Sequence, residues 1–438
     1  MAGSTTSQNE VANIEGLVGW VNDDDTRGTW SIITSCLFTI VICTWTAIHP
    51  RIHVSRSMRH RHKFYQLVKA LLAPEMVCLE SIQEFIQARK VARRCAQATN
   101  GRFKLIHGFY VSMLGIRYRV GNEGGYRTLW PAQYAWLLNN GLISWDDHKS
   151  WGLAVEDIED KNKADGLVKL ATLVQVIWFT VQSVTRGAHN LPLAALETMT
   201  LAYVLNAIMT YAFWWKKPKD IATASFIVLP EMTADQKDTF GNLSMENTYD
   251  VPTPGCEPDP SSAWYVVARD YEDNEMPVMA PKPDRQFDAD SSSADANVEA
   301  QVSNSTKVQQ HRADNAKVIT EWDASLYMTR YWPLLCLLGA SFGAVHLVSW
   351  DSAFPTTVEL WLWRSSALMS VVTAVLCMQF RTMSLTWDGP LTVIKVGSPL
   401  LYIVSRLIMA AETFAALRAM EARTYVTYEL LNYWFHFF

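Results

Sequence analysis

The residues of this chain that could carry acid–base chemistry are few and lie close to apolar segments. His107 lies in the 12-residue apolar run 105–116, and a five-residue acidic run follows at 156–160. A histidine with a carboxylate partner can move a proton at neutral pH, as a cofactor-free isomerase or cyclase requires. We therefore predict that the catalytic residues of such an enzyme would be His107, Glu156, Asp157 and Asp160.

The acidic run has the [DE]DxxD form with which prenyl-transferring and terpene-cyclising enzymes hold Mg²⁺ and a diphosphate. A second acidic motif and the NxxxDxxxD form of membrane prenyltransferases are both absent from the sequence. Acidic runs are also common on solvated surfaces. The sequence thus predicts no cofactor, with one exception: Mg²⁺ would bind if Glu156, Asp157 and Asp160 held a diphosphate.

Other ionisable residues lie within or beside apolar runs. A charged group is costly in a membrane segment and generally faces protein or water there. Each of the ionisable residues in these runs can serve as a proton carrier or as an interhelical hydrogen-bonding group. These residues are His189, Glu197, His346, Arg406 and Glu412.

Two histidine pairs were considered as metal ligands. His49 and His53 have the i, i+4 spacing, but Pro50 interrupts a helix between them. His60 and His62 lie among arginines and a lysine, which repel a cation. This segment is better interpreted as a basic clamp on anionic lipid headgroups.

Composition excludes several classes of protein. Of the 438 residues 49% are hydrophobic and only 18% charged, and the net charge of -5 gives no support for nucleic-acid binding. The sequence contains no GxxxxGK[ST], GxGxxG or GxSxG motif, which argues against an ATP-driven pump and the usual serine hydrolase. The seven cysteines form no CxxC pair, so a disulfide scaffold is not expected.

Long uncharged runs predict an all-α, polytopic membrane protein with about six transmembrane helices, because about 20 apolar residues in a helix cross a bilayer. Because Arg406 lies inside the last run, that run is either a sixth span with an inward-facing arginine or a helix lying against the others; the span is favoured, since a charge in a membrane segment generally faces protein or water. The predicted spans are 28–50, 167–185, 198–215, 331–350, 365–380 and 391–411.

Charge bias sets the orientation of the remaining segments. Basic residues follow the first span and few precede it, so residues 1–27 are placed in the lumen and 51–165 in the cytosol. Within 51–165 we predict a helix pair on the membrane surface at 64–98, with Lys69, Gln83, Gln87 and Lys90 on its polar face; the alternative is a soluble helix packed on a domain. A re-entrant or interfacial element is predicted at 105–116. Residues 216–330 are predicted to be a polar, largely disordered cytosolic loop, and 412–438 an aromatic tail.

Three stretches resemble a family of largely uncharacterised fungal polytopic membrane proteins. They are 19–50, with the pattern RGT…SC…T…C.WT..H; 163–220, with WF..Q…RG…LP…E..TLA…WW.KP; and LLAPE at 71–75. The resemblance implies membrane placement, a fungal source and, for some members, genes beside secondary-metabolite clusters. It implies no catalytic residues.

Two functions of different class remain open at this point. The first is a cofactor-free cyclase or isomerase of specialised metabolism that acts on a lipophilic small molecule at the cytosolic surface. The second is a non-catalytic transporter or membrane scaffold of the same pathway. Both have the lipid bilayer as partner, neither binds nucleic acid, and the endoplasmic reticulum is the default location.

Overall fold

The chain was analysed as a computed structural model. It describes residues 16–22, 27–49, 52, 56–120, 125–160, 165–219, 221, 223–243, 318–321, 327, 329–380, 382–384 and 389–426. Most of the predicted loop 216–330 lies outside these residues, although its first part, up to residue 243, is described.

The described part of the chain is mostly helical with a few short strands. The helices are α1 Thr29–Thr46, α2 Arg56–Leu72, α3 Pro74–Ala96, α4 Leu105–Ser112, α5 Pro131–Asn139, α6 Val155–Asp160, α7 Asp165–Ala188, α8 Ala195–Trp214, α9 Ala234–Asn242, α10 Trp332–Gly339, α11 Ser341–His346, α12 Thr357–Met378 and α13 Leu391–Ala415. The strands are β1 Leu17–Val18, β2 Ile116–Val120, β3 Gly125–Thr128, β4 Ser225–Ile227, β5 Val318–Glu321, β6 Thr382–Ser384 and β7 Met420–Glu421.

Three helices of the described residues are long and apolar enough to cross a membrane: α1, α12 and α13. A fourth candidate is the pair α10 and α11, which passes the same test together but is bent by 50° at its break. Large apolar side chains on these helices point outward, such as Val41 and Leu400. The prediction of several apolar spanning helices is thus confirmed in its coarse form.

The second and third predicted spans coincide with helices α7 and α8, which are not among those three. Glu197 and Asn206 lower the mean hydropathy of α8, and both side chains are buried inside the bundle. Polar residues that face neighbouring helices reduce the apolar signal of a helix without placing charge on its outer surface.

Contacts between distant segments define the two ends of the bundle. At the first end β1 pairs with β7, and buried Arg186 at the end of α7 donates to the carbonyls of Thr424 and Val426 at 2.8 and 2.9 Å. At the second end Lys217, which follows α8, donates to the carbonyl of His49, which follows α1. Helices α1, α7 and α8 therefore run between the same two ends.

A small mixed α/β unit lies at the second end. Strand β2 pairs with β3 in antiparallel and with β4 in parallel orientation, and α4, α5 and α9 cover the sheet around a shared apolar cluster. Helix α4 occupies the predicted re-entrant element and packs in this cluster through Tyr110 and Val111. The strands were not predicted, although Ile116 and Tyr118 alternate with Arg117 and Arg119, as strand residues do.

Helix α3 lies in the middle of the molecule, in contact with helices of both the bundle and the α/β unit. Gln83 is 1% exposed and Gln87 is 4% exposed. Most of the predicted polar face is therefore buried inside the molecule and does not face water. The placement of this helix pair on the membrane surface stays a prediction.

Candidate functional site

His107 lies on the first turn of α4 with its ring buried. Its Nδ1 accepts the backbone N–H of Lys104 at 2.8 Å, and its ring is hydrogen-bonded to the backbone of Leu153. Burial, followed by the nearby His148, lowers the pKa of His107 to about 4. The ring is therefore neutral at pH 7. Its Nδ1 caps the start of α4, and its bond to Leu153 joins α4 to the 145–153 segment.

The acidic run forms α6, whose C-terminal residue is Asp160. Glu156 and Asp157 are exposed, and Glu156 is within electrostatic range of His107. The side chain of Asp160 lies outside the described residues. The structure thus brings His107 and Glu156 into one neighbourhood, with the histidine buried and the carboxylates facing outward.

No three His, Cys, Asp or Glu side chains among the described residues come together in a way that could hold a metal ion. The Mg²⁺ hypothesis for the 156–160 run stays a prediction, because part of that run lies beyond what the structure describes.

The most concentrated set of buried charges lies along α3. Three of its carboxylates, at positions 75, 80 and 84, pair with cations from three different segments. Glu80 pairs with Lys69 of α2, and Glu84 pairs with Lys217 after α8. The Lys217 ammonium group also lies 3.9 Å from the centre of the Trp214 ring. Helix α3 is thus joined to its neighbours by charge as well as by apolar contact.

The third pair forms what we call the charge centre: Glu75, Tyr402 and Arg406. Nη2 of Arg406 donates to Oε2 of Glu75 at 2.7 Å, and the Tyr402 hydroxyl donates to Oε1 of Glu75. Nε of Arg406 donates to the Leu72 carbonyl at 3.1 Å. Glu75 is 1% exposed and Arg406 5%, so the pair is withdrawn from solvent. Breaking a buried pair of this kind costs about 3–5 kcal/mol, because the remaining charge is left uncompensated.

Aromatic rings connect the charge centre to α8 and α11. The Arg406 guanidinium carbon lies 3.4 Å from the centre of the Phe342 ring, a close cation–π contact. Tyr203 of α8 meets Phe342 edge-on at 5.1 Å, and its hydroxyl donates to the Leu71 carbonyl. Phe342 is the second residue of α11, directly after the 50° bend. The charge centre therefore touches the broken helix pair.

Helix α13 is also irregular beside the charge centre. Pro399 lies inside it, one turn before Tyr402. A proline in a helix interior removes a backbone hydrogen bond and favours a kink. Discontinuous helices in membranes are typical of places where polar backbone groups line a site.

A small cavity lies next to the charge centre, between α1, α2, α3 and α8. Its volume is about 10 Å³, close to the least that holds a water molecule. Asn206 also accepts a hydrogen bond from Ser341 at the start of α11. The lining residues are Cys43, Thr44, Ala47, Ala70, Pro74, Val77, Tyr203, Asn206, Ala207 and Thr210.

Sequence reasoning identified one half of the charge centre. Arg406 was expected to face protein because it lies in an apolar run, and that expectation is confirmed. Glu75 was missed as a site residue, because α2 and α3 were assigned to the membrane surface. The signal that could have identified it is the row of carboxylates at 75, 80 and 84 on a helix otherwise rich in apolar residues.

Comparison with known families gives a match over part of the chain. The profile of a family of unknown function (DUF8562) matches residues 4–110 and 149–245, just under half of the chain. The match includes α3 with its carboxylates, and the unmatched residues between its two parts contain β2, β3 and α5. Comparison with curated proteins and with solved structures gives no match.

Proposed function

We propose that this protein is a membrane transporter that carries a small solute through its helix bundle. The observation that carries the proposal is the charge centre, which lies where the bent pair α10–α11 and the proline-containing α13 meet the central helix α3. Buried ionisable residues and broken helices together are typical of solute and ion pathways in membranes.

In this proposal the bundle crosses the membrane six times, through α1, α7, α8, the bent pair α10–α11, α12 and α13. Support comes from three contacts at the first end of the bundle. Arg27 before α1 pairs with Glu197 of α8, and Arg418 after α13 pairs with Glu359 of α12. Thr198 of α8 is hydrogen-bonded to Ser349 beyond α11. These contacts join segments of the first end, as six passages of one membrane require.

The charge centre would act as the switch between two arrangements of the bundle. A desolvated ion pair strongly favours the arrangement in which it is intact, so α13 is held against α3 while Arg406 and Glu75 are paired. When the pair opens, α13 and the bent pair can move away from α3 and α8. The adjoining cavity would then enlarge toward one side of the membrane.

The enzyme hypothesis stays a prediction. Both ring nitrogens of His107 are engaged with backbone groups, and Glu156 and Asp157 of α6 are exposed. A general base needs a free lone pair within reach of its substrate. The geometry around His107 thus favours the transporter over the cyclase or isomerase.

Access to Cys43 tests the proposal without knowledge of the solute. Cys43 lines the cavity, whereas Cys36 lies two turns earlier on the same buried face of α1 and does not. Two proteins would be made in sealed vesicles of one orientation, each retaining only one of these cysteines. A membrane-impermeant maleimide would be added outside or trapped inside.

A transporter predicts that Cys43 is labelled at a measurable rate from each side, while Cys36 is labelled from neither. Combining Arg406→Gln with Glu75→Gln, which removes the pair without leaving a lone charge, should confine labelling of Cys43 to one side. If Cys43 proves as unreactive as Cys36 in folded protein from both sides, the bundle is static and the protein is a scaffold.

A further inference from the structure

We infer that the coupling ion of this transporter is the proton, and that it reaches the charge centre from the first end of the bundle through Glu412 and His346. The inference rests on the proposed function and adds the ion that drives it. Its basis is a group of buried polar atoms between α11, α12 and α13 that have no hydrogen-bond partner among the described residues.

His346 is the central member of this group. It is 0% exposed, and its Nδ1 donates to the Phe342 carbonyl at 2.7 Å. Because a carbonyl can only accept, Nδ1 carries the hydrogen, and Nε2 of the neutral ring presents a lone pair. That Nε2 has no partner within the described part of the chain. It is therefore able to take up a proton inside the bundle.

Arg406 connects His346 to the charge centre. The guanidinium is within electrostatic range of His346, and the Phe342 ring lies between them, 4.7 Å from the imidazole centre. Behind Arg406 is Glu75, the carboxylate at which a proton would arrive. Protonation of Glu75 removes its negative charge and so weakens the pair with Arg406, which opens the switch.

Glu412 lies further along α13, toward the first end. Its Oε2 is buried and has no hydrogen-bond partner among the described residues. It is within electrostatic range of Glu359, which pairs with Arg418 at that end. We place the entry of the proton at Glu412, from which it passes to Nε2 of His346 and then leaves the same nitrogen for Glu75, so that each carrier returns to its starting state.

The face of α12 that lines this route is polar as well. Trp363 and Ser370 are each 1% exposed, and their Nε1 and Oγ atoms lack hydrogen-bond partners among the described residues. The Trp363 ring lies 5.3 Å from that of His346. Ionisable side chains that face the interior of a helix bundle mark proton relays in membrane pumps and transporters, and polar neighbours of this kind surround them.

The test varies pH on the side of the membrane away from the maleimide. Vesicles with the single Cys43 would be labelled from the second-end side at constant external pH, while the pH at the first-end side is set to 6 or 8. Because the thiol and the reagent stay at one pH, any change in rate reports the conformation. We expect about a tenfold difference in labelling rate between the two internal pH values.

Glu412→Gln and His346→Gln should each abolish this difference while Cys43 remains reactive. Glu412→Gln is the milder change and serves if His346→Gln does not fold. His189→Gln, an exposed histidine at the same end, is the matched control and should keep the full difference. If Cys43 is labelled from both sides at rates independent of internal pH, the proton route is wrong and the transporter stands. If Cys43 is never labelled, the transporter itself is wrong.

Discussion

Arg406 uses its side chain in several polar and aromatic contacts at once. It reaches Glu75, Tyr402 and the Leu72 carbonyl, and it stacks on Phe342. Arginine suits such a place because its planar fork can bind several acceptors at once. The energetic contribution of this residue therefore depends on whether its partner carboxylate is present.

The coupling between Arg406 and Glu75 can be measured by a double-mutant cycle. Arg406→Gln should lower the free energy of unfolding by about 3–5 kcal/mol, because it leaves Glu75 charged and buried. Adding Glu75→Gln should restore much of that loss. Thermal unfolding in detergent measures both effects. Additive losses in the double variant would mean that the two residues are not energetically coupled.

His107 predicts a separate dependence of stability on pH. Its pKa is about 4 in the folded chain and about 6.5 when unfolded, so the unfolded state binds the proton more readily. The contribution of His107 to the free energy of unfolding is fully present above pH 6.5. It is lost as the pH falls toward 4, by up to about 3 kcal/mol.

The corresponding experiment compares unfolding at pH 7 and pH 5. His107→Gln should be less stable at pH 7, by about 1–3 kcal/mol, because two backbone groups lose their partner. It should also lose less stability between the two pH values than the native protein does. His60→Gln on the exposed part of α2 is the control. Parallel pH dependence in all three proteins would refute the assignment.

Helices α3 and α4 pack so closely that one glycine sets their separation. A Cβ built on Gly108 would lie 2.3 Å from the Ala88 carbonyl oxygen, which is a backbone atom and cannot move alone. Gly108→Ala should therefore destabilise the protein by about 1–3 kcal/mol or more. Gly187 in α7 has nothing within 4 Å of the same position, so Gly187→Ala should be neutral or stabilising by up to about 1 kcal/mol. The melting temperatures of the two variants and the native protein test this prediction. If both variants lose the same amount of stability, the steric effect at Gly108 is excluded.

At the level of elements, the sequence predicted helices better than their surroundings. Apolar runs identified α1, α12 and α13, since a long apolar run with few charges is typical of a helix that crosses a membrane. Helix α3 was recognised as amphipathic, but the burial of its polar face was not predicted, because the period of a helix does not reveal what covers that face. Strands β2 and β4 pair across more than a hundred residues, a relation that local patterns do not contain.

The candidate site was predictable in part, because a charged residue is conspicuous in an apolar run. Arg406 stood out as the single arginine in an apolar run, and His346 and Glu412 were identified in the same way. Glu75 was not identified, because α2 and α3 were assigned to the membrane surface, where the polar face of a helix lies among the headgroups. Only the tertiary structure shows that each of these carboxylates is matched by a cation from another element.

The molecule as a whole has a definite orientation that glycosylation can test. Residues 1–27 are predicted to be lumenal, and the α/β unit to be cytosolic. Val11→Thr completes an Asn-x-Thr sequence at Asn9, well before α1. In a host that glycosylates in its endoplasmic reticulum we expect this variant to carry a glycan that an endoglycosidase removes, whereas the natural Asn242-Leu-Ser sequence stays unmodified. A glycan at Asn242 would reverse the orientation.

The pairing of β1 with β7 has a consequence for biogenesis. Leu17 is opposite Glu421, so the two partners are made roughly 400 residues apart. At about 5–20 residues per second, the ribosome needs about 20–80 s between them. Arg186 likewise cannot form its hydrogen bonds until the carbonyls of Thr424 and Val426 have been synthesised. The first end of the bundle thus closes only after residues 420–426 have been made, and a nascent chain stalled before residue 416 would leave that end open to quality-control factors.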